Sequence, residues 1–235
     1  ELPVGLDGGA LDIRGLAANP LTRAKIELGR QLFFEPRLSR DGTISCASCH
    51  DPEHGFAMPT RFGVGVGGLQ GTRNSPSAAN RILSDAQFWD GRAASLEEQA
   101  VGPMANPMEM GFSHEAVISL IGTLEGYRLQ FERVFDGHQR EGGVTIENVG
   151  RAIAAFERAI VSGPNAWDHH RRLRDFEAAY ADELDDLDEE LIEEYAVLKT
   201  AADEKPLSEP AARGADLFFG RAGCTQCHAG ANFSD

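Results

Sequence analysis

The chain has 235 residues, 42% of them hydrophobic, and a formal net charge of −15 at pH 7. That length suits one large or two small domains with a real core, and an acidic balance of this size excludes nucleic acid as a partner, which needs a basic surface. No run approaches the roughly 18 consecutive apolar residues of a membrane span.

Taken in chain order, Glu1-Leu2-Pro3-Val4-Gly5 reads as a mature terminus, without the basic and then apolar pattern of a signal segment. Residues 21–34 predict a helix with Thr22 as N-cap and Gly29 four positions before Phe33. The chain then turns into Cys46-Ala47-Ser48-Cys49-His50. Residues 51–80 form a long loop carrying Gly63, Gly65, Gly67, Gly68 and Gly71. A phosphate-binding loop is a poor account of these glycines, because no strand precedes them and no Gly-Lys-Ser/Thr follows; a loop folded close against a flat cofactor explains them better. Ser113 starts a helix with Val117, Leu120 and Ile121 inward, and Thr145 caps another with Ile146, Val149, Ile153, Phe156 and Ile160 on one face.

Residues 174–205 are acidic, with eleven Asp or Glu between Asp175 and Glu194. They also carry Phe176, Tyr180, Leu184, Leu187, Leu191, Tyr195 and Leu198, which predicts a solvated amphipathic helix or hairpin; a docking face for a basic redox partner is the alternative. Residues 207–219 then repeat the first pattern, with Ser208 as N-cap, Pro210 in the first turn and Gly214 four positions before Phe218, leading to Cys224-Thr225-Gln226-Cys227-His228. His54 lies too close to His50 to reach over a cofactor ring held there; His114, His138, His169 and His170 read as surface residues in helical or turn segments, and Trp167 as core packing.

The two Cys-x-x-Cys-His pentads use all four cysteines of the chain. This is the attachment pattern of c-type haem, with Cys46, Cys49, Cys224 and Cys227 forming thioethers and His50 and His228 ligating iron. A structural zinc site wants its two halves about 15–20 residues apart, whereas these lie at opposite ends of the chain. A dithiol redox motif leaves the adjacent histidines unexplained, and disulfides of such short span would staple little. Near-absence of lysine, against many arginines, suits cofactor propionates. Two covalently bound haem c groups imply export, hence a periplasmic location.

The run Phe88-Trp89-Asp90-Gly91-Arg92-Ala93, with Arg73-Asn74-Ser75-Pro76 upstream and Gln99-Ala100 and Asn106-Pro107-Met108-Glu109-Met110-Gly111 downstream, closely resembles the bacterial di-haem cytochrome c peroxidase superfamily. That superfamily also holds the methylamine-utilisation di-haem enzymes. The resemblance covers residues 20–170 and 206–235; the acidic segment is outside the usual pattern, and family members continue well past the second pentad. It implies a mainly α fold of two cytochrome c-like haem domains, the second truncated in this chain. Residues 1–165 would hold the peroxidatic haem, 166–205 an acidic helical insert, and 206–235 the start of the electron-transfer domain.

The resemblance further implies hydrogen peroxide as substrate, a small electron donor such as a cytochrome c or cupredoxin, and a homodimer as a further expectation. By the same resemblance Glu109 is the catalytic acid–base, Trp89 the relay between haems, Gln99 a residue near the peroxide pocket, and Asn74 a candidate Ca2+ ligand. Two rival readings accompany it: a di-haem enzyme using high-valent iron to oxidise a partner protein, and a non-enzymatic electron carrier. The second axial ligand of the His228 haem separates the two enzyme branches, methionine for peroxidases and tyrosine for the protein modifiers. One departure stands out. Many family peroxidases cap the resting first haem with a loop histidine, but here valine occupies the matching position, Val66 in an ungapped reading or Val64 with a shift. An open distal face is therefore expected, unless Met58, or His54 after loop rearrangement, supplies a ligand.

Overall fold

The computed structural model describes residues 15–135, 143–229 and 233. Its α-helices are α1 (Arg23–Phe33), α2 (Cys46–Cys49), α3 (Leu96–Ala105), α4 (His114–Thr123), α5 (Glu125–Val134), α6 (Ile146–Ala159), α7 (Ala166–Ala179), α8 (Glu189–Glu204) and α9 (Glu209–Phe219). Among the described residues the only β pairing consists of isolated bridges, so the mainly α expectation holds. The chain divides into two compact units, one running to Val161 and the other beginning at Ser162.

Local chemistry starts the helices where the sequence places them. Thr22 accepts from the Lys25 N–H at 3.2 Å, Thr145 from Asn148 at 3.2 Å, Ser113 from Ala116 at 3.3 Å and Ser208 from Ala211 at 3.4 Å. Each such cap is worth about 1 kcal/mol.

In the first unit α1 packs on α6, joining Leu28, Leu32 and Phe33 to Val149, Ala152 and Ile153 in a core completed by Met104, Val117, Ile121 and Phe131. The α1–α6 approach explains Gly29. A Cβ at that position would lie 1.8 Å from the Ala152 carbonyl oxygen, so any side chain would force the helices apart. Its counterpart Gly214 in α9 meets nothing within 4 Å, and α9 buries none of its residues. The repeat thus shares its helix and pentad, but only the first copy buries residues of its helix among the described residues.

In the second unit α7 and α8 form a hairpin. The apolar stripe is not one helical face, because α7 ends at Ala179 and α8 begins only at Glu189. Phe176 anchors the turn side, with ring centroids 4.7 Å from Tyr180 and 5.6 Å from Tyr195, while Leu184 is exposed. Trp167 stacks on Phe219 of α9 at 5.1 Å and 8°, so it packs within the unit.

Three histidines depart from the surface reading. His169 is buried on α7, His170 lies half-buried beside Trp167, and His114 bonds the Val101 carbonyl oxygen at 2.9 Å. The burial of His169 is set by tertiary packing, which the local sequence does not show. His54 is exposed and bonded to Asp51 at 2.8 Å, and His138 lies outside the described residues.

Candidate functional site: two haem pentads and an acid turn

Each pentad folds into one tight turn that sets its histidine. The His50 N–H donates to the Cys46 carbonyl oxygen at 2.9 Å, and the His228 N–H to that of Cys224 at 2.9 Å. At the first pentad Ser45 and Ser48 add a capping box. The imidazoles are aimed in the same manner. His50 Nδ1 donates to the Phe56 carbonyl oxygen at 3.2 Å, and His228 Nδ1 to that of Phe233 at 3.1 Å. A carbonyl acceptor fixes the tautomer with the proton on Nδ1, which leaves Nε2 as the basic nitrogen for a metal. The phenylalanine-bearing helix of the repeat stands at nearly the same distance in both copies: Phe33 lies 6.3 Å from His50 and Phe218 6.1 Å from His228, centroid to centroid.

The two sites differ in burial. Burial holds the His50 imidazole below its ordinary pKa, against the pull of the Phe56 carbonyl, and so keeps it in the neutral form that ligates iron. Burial also pushes the Cys46 thiol up to about 12 and raises Cys49. His228 and Cys227 are exposed. All four cysteines are free thiols. Unpaired thiols on one turn, beside a histidine whose Nδ1 is held by a backbone carbonyl, fit covalent haem c at both pentads.

Glu109 sits in a turn wound around Asn106. The Asn106 carbonyl oxygen accepts from the N–H groups of Glu109 and Gly111 at 3.0 and 2.9 Å, and its side chain accepts from the Met108 N–H at 3.0 Å. Met110, buried, pins the far side, with its carbonyl oxygen accepting from Arg40 at 2.9 Å. The glycine-rich loop docks straight onto this turn: the Val66 N–H donates to the Glu109 carbonyl oxygen at 2.8 Å. A Cβ on Gly65 would stand 2.1 Å from the Met108 carbonyl oxygen, so only glycine permits the approach. Burial raises the Glu109 pKa, and the nearby Arg92 charge pulls it partly back.

Val66 is fully buried, while Val64 is exposed and accepts weakly from the Cys49 thiol at 3.9 Å. Of the two loop valines, Val64 is therefore the one beside the first pentad.

Trp89 is 64% exposed, and its indole N–H donates to the Asn74 backbone oxygen at 2.8 Å. Asp90 braces the same segment between Arg73 and Arg92, each at 2.8 Å, and those hydrogen bonds bring its carboxyl down to about 2. Arg92 in turn lies over the Phe88 ring at 3.5 Å. Arg92 thus links the tryptophan segment to Glu109. The Asn74 side chain donates to the Met58 and Thr60 carbonyl oxygens at 2.9 and 2.6 Å, leaving Oδ1 as the atom it could offer a cation. Gln99 is half-buried on α3, whose C-terminal end delivers the Glu109 turn.

One buried acid escaped the sequence reading. Glu157 on α6 reads as an ordinary helical charge beside Arg158, yet it is only 5% exposed. No local signal distinguishes it, since its burial depends on α3 and the 81–83 turn, both distant in sequence.

The chain is similar to proteins of a known family. Residues 23–175 match the family described as di-haem cytochrome c peroxidase. The chain is 35% identical over 218 residues to the methylamine utilization protein MauG of Methylorubrum extorquens, covering 93% of this chain and 53% of that protein. It is also 35% identical over 214 residues to cytochrome c551 peroxidase of Nitrosomonas europaea, covering 91% and 54%. The chain therefore spans about half the length of the curated relatives it matches. Among solved structures, a MauG-like protein associated with microbial copper homeostasis superposes with TM-score 0.72 at 29% identity, over 93% of this chain and 55% of that one. The diheme peroxidase BthA from Burkholderia thailandensis gives 0.66 at 25% identity, over 89% and 50%. With its matched region running through the first pentad, the tryptophan segment and the Glu109 turn, the chain belongs to the di-haem cytochrome c peroxidase family, and haem c is its cofactor.

Proposed function

We propose that the protein reduces hydrogen peroxide to water, taking two electrons one at a time from a small redox protein, and that the first unit holds the peroxide site. The observation that carries this reading is Glu109: a carboxyl with a raised pKa, in a turn sealed by the glycine-rich loop. An electron carrier needs no such group. Haem on His50 supplies an iron that can bind and reduce peroxide. The chain's own part is proton handling. Glu109 takes the proton from the inner peroxide oxygen and returns it to the outer one, so that the O–O bond breaks with water as the leaving group; two protons and two electrons convert one peroxide to two waters.

Trp89, held by Asn74, is the relay for electrons arriving through the His228 haem, and the Asp90–Arg73–Arg92 brace fixes its segment. Gln99 positions the pocket from α3. Asn74 Oδ1 is a candidate Ca2+ donor, consistent with calcium's preference for hard oxygen ligands. A periplasmic location suits covalent haem attachment. The protein-oxidising branch is the second reading, favoured by equal identity to a MauG and to a peroxidase.

The test is Glu109→Gln in the haem-loaded, full-length protein. Peroxide turnover should fall by about 10²–10⁴-fold, the usual contribution of a positioned proton carrier, with both haem spectra intact. Near-normal turnover would return Glu109 to a structural role.

A further inference from the structure

Glu157 has no part in the chemistry above, yet its placement is costly. Its carboxylate is almost wholly enclosed, and Oε2 has no hydrogen-bond partner among the described residues. An isolated buried carboxylate is expensive in a protein interior. The groups around it do not form an ion pair with it. Arg158, its neighbour on α6, is bound to Glu97 of α3 through both nitrogens, at 2.5 and 3.0 Å. Arg81 spends its guanidinium on the Gln87 side chain at 3.0 and 2.8 Å and on the Ala86 carbonyl oxygen at 2.9 Å. Lys25 of α1 is tied to Asn19 and the Pro20 carbonyl oxygen, each at 2.8 Å.

Glu157 also faces the first pentad. The adjacent Phe156 ring meets Phe33 at 5.2 Å, and Phe33 meets His50 at 6.3 Å, centroid to centroid, so this end of α6 lies beside the pentad; the Glu157 charge bears on Cys46, and Arg81 acts on both Glu157 and His50. Burial lifts its pKa to about 8; Arg158 pulls against it, Glu97 pushes the same way as burial, and Arg81 adds the smallest opposing pull. The group is thus poised between charge states at neutral pH, in a low-dielectric setting where a change of one unit of charge nearby is strongly felt.

We propose that Glu157 is a positioning residue for the His50 haem that stores one proton per electron: it is protonated when the iron is ferrous and releases the proton when the iron is ferric. The step balances without any change of iron ligand. Ferric iron takes one electron from a reductant, the Glu157 carboxylate takes one proton from solvent, and the products are ferrous iron and a neutral carboxyl. The added electron removes a positive charge near the carboxylate and so favours its protonation. Arg81 sets the window from the other side, its guanidinium favouring the ionised form. The inference rests on the reading that His50 carries a haem.

The test is spectroelectrochemical titration of the haem-loaded, full-length protein between pH 6 and 10, following each haem separately, with intact mass reporting the haem count. The reduction equilibrium of the His50 haem should change tenfold per pH unit around neutrality, equivalent to about 59 mV. Glu157→Gln should flatten that slope and leave the His228 haem unchanged. Arg81→Gln should move the sloping region to higher pH, because it removes a cation that favours the carboxylate. A pH-independent potential in the wild-type protein overturns the proposal, as does a slope that survives Glu157→Gln, which would assign the proton to a propionate. Should Glu157→Gln fail to mature, an unmoved window in Arg81→Gln overturns it equally. A mass showing no haem on the first pentad would instead sink the haem reading itself.

Discussion

Arg158 is 3% exposed, and a guanidinium at that depth is tolerable only because Glu97 meets it with two hydrogen bonds while Asn19 donates to the same carboxylate at 2.8 Å. Burial works against the Glu97 charge, but the bonds from Arg158 and Asn19 outweigh it and hold the carboxyl below its usual range. Removing one member leaves the other charged and buried without compensation. Glu97→Ala should therefore cost about 3–5 kcal/mol in denaturant unfolding, and a loss below about 1 kcal/mol would mean that Arg158 finds other partners. The pH sign follows from the lowered pKa. This contribution is complete above the ordinary carboxyl range and is lost as pH falls through the folded-state value of Glu97.

The element that decides the site is the glycine-rich loop, seated on the Glu109 turn through Gly65 and the Val66 N–H. Gly65→Ala should force the two backbones apart, costing about 1–3 kcal/mol, and should displace Glu109, so that peroxide turnover falls along with the melting temperature. Gly122 of α4 is the control, because a Cβ there meets nothing within 4 Å; Gly122→Ala should be neutral or stabilising by about 0.5–1 kcal/mol. Equal effects of the two substitutions would show that the close approach is not what holds the turn.

Which elements were legible follows from how far their causes lie along the chain. The caps at Thr22, Ser113, Thr145 and Ser208 could be read directly, because a hydroxyl satisfies an N–H three residues away. Gly29 could be noticed as part of a repeat, but its reason, the Ala152 carbonyl, lies on another helix. The Glu97–Arg158 pair and the enclosure of Glu157 could not be read, since partners 61 residues apart leave no local trace. His169 went astray for the same reason. In the acidic segment the apolar spacing suggested one stripe, and the turn between Tyr180 and Asp188 divides it between two helices.

Across the whole chain, one structural phrase is used twice: a capped helix with glycine four positions before phenylalanine, a pentad, and a histidine held by a phenylalanine carbonyl. The copies differ in their surroundings, half-buried at His50 and exposed at His228. At the matching positions of its glycine-rich loop the first copy has valines: Val66 is locked under the Glu109 turn and Val64 lies beside Cys49. Neither valine can ligate iron. The fully oxidised, full-length protein should therefore show a high-spin ferric signal from the His50 haem in electron paramagnetic resonance, and should react with peroxide without prior half-reduction. Two low-spin signals, with a lag abolished by pre-reduction, would reveal a gating ligand such as Met58 or His54.

The carbonyl behind each imidazole has a consequence for how the chemical work is divided. A carboxylate acceptor would draw the Nδ1 proton toward itself and give the metal a donor with imidazolate character. The peptide oxygens of Phe56 and Phe233 are neutral and weaker acceptors, so both histidines remain plain imidazoles. A metal held by either histidine would then receive a similar, modest donor. Any difference between the two sites would then come from the other residues around them. In the first unit, that leaves the asymmetry to one carboxyl in a sealed turn and another buried in α6.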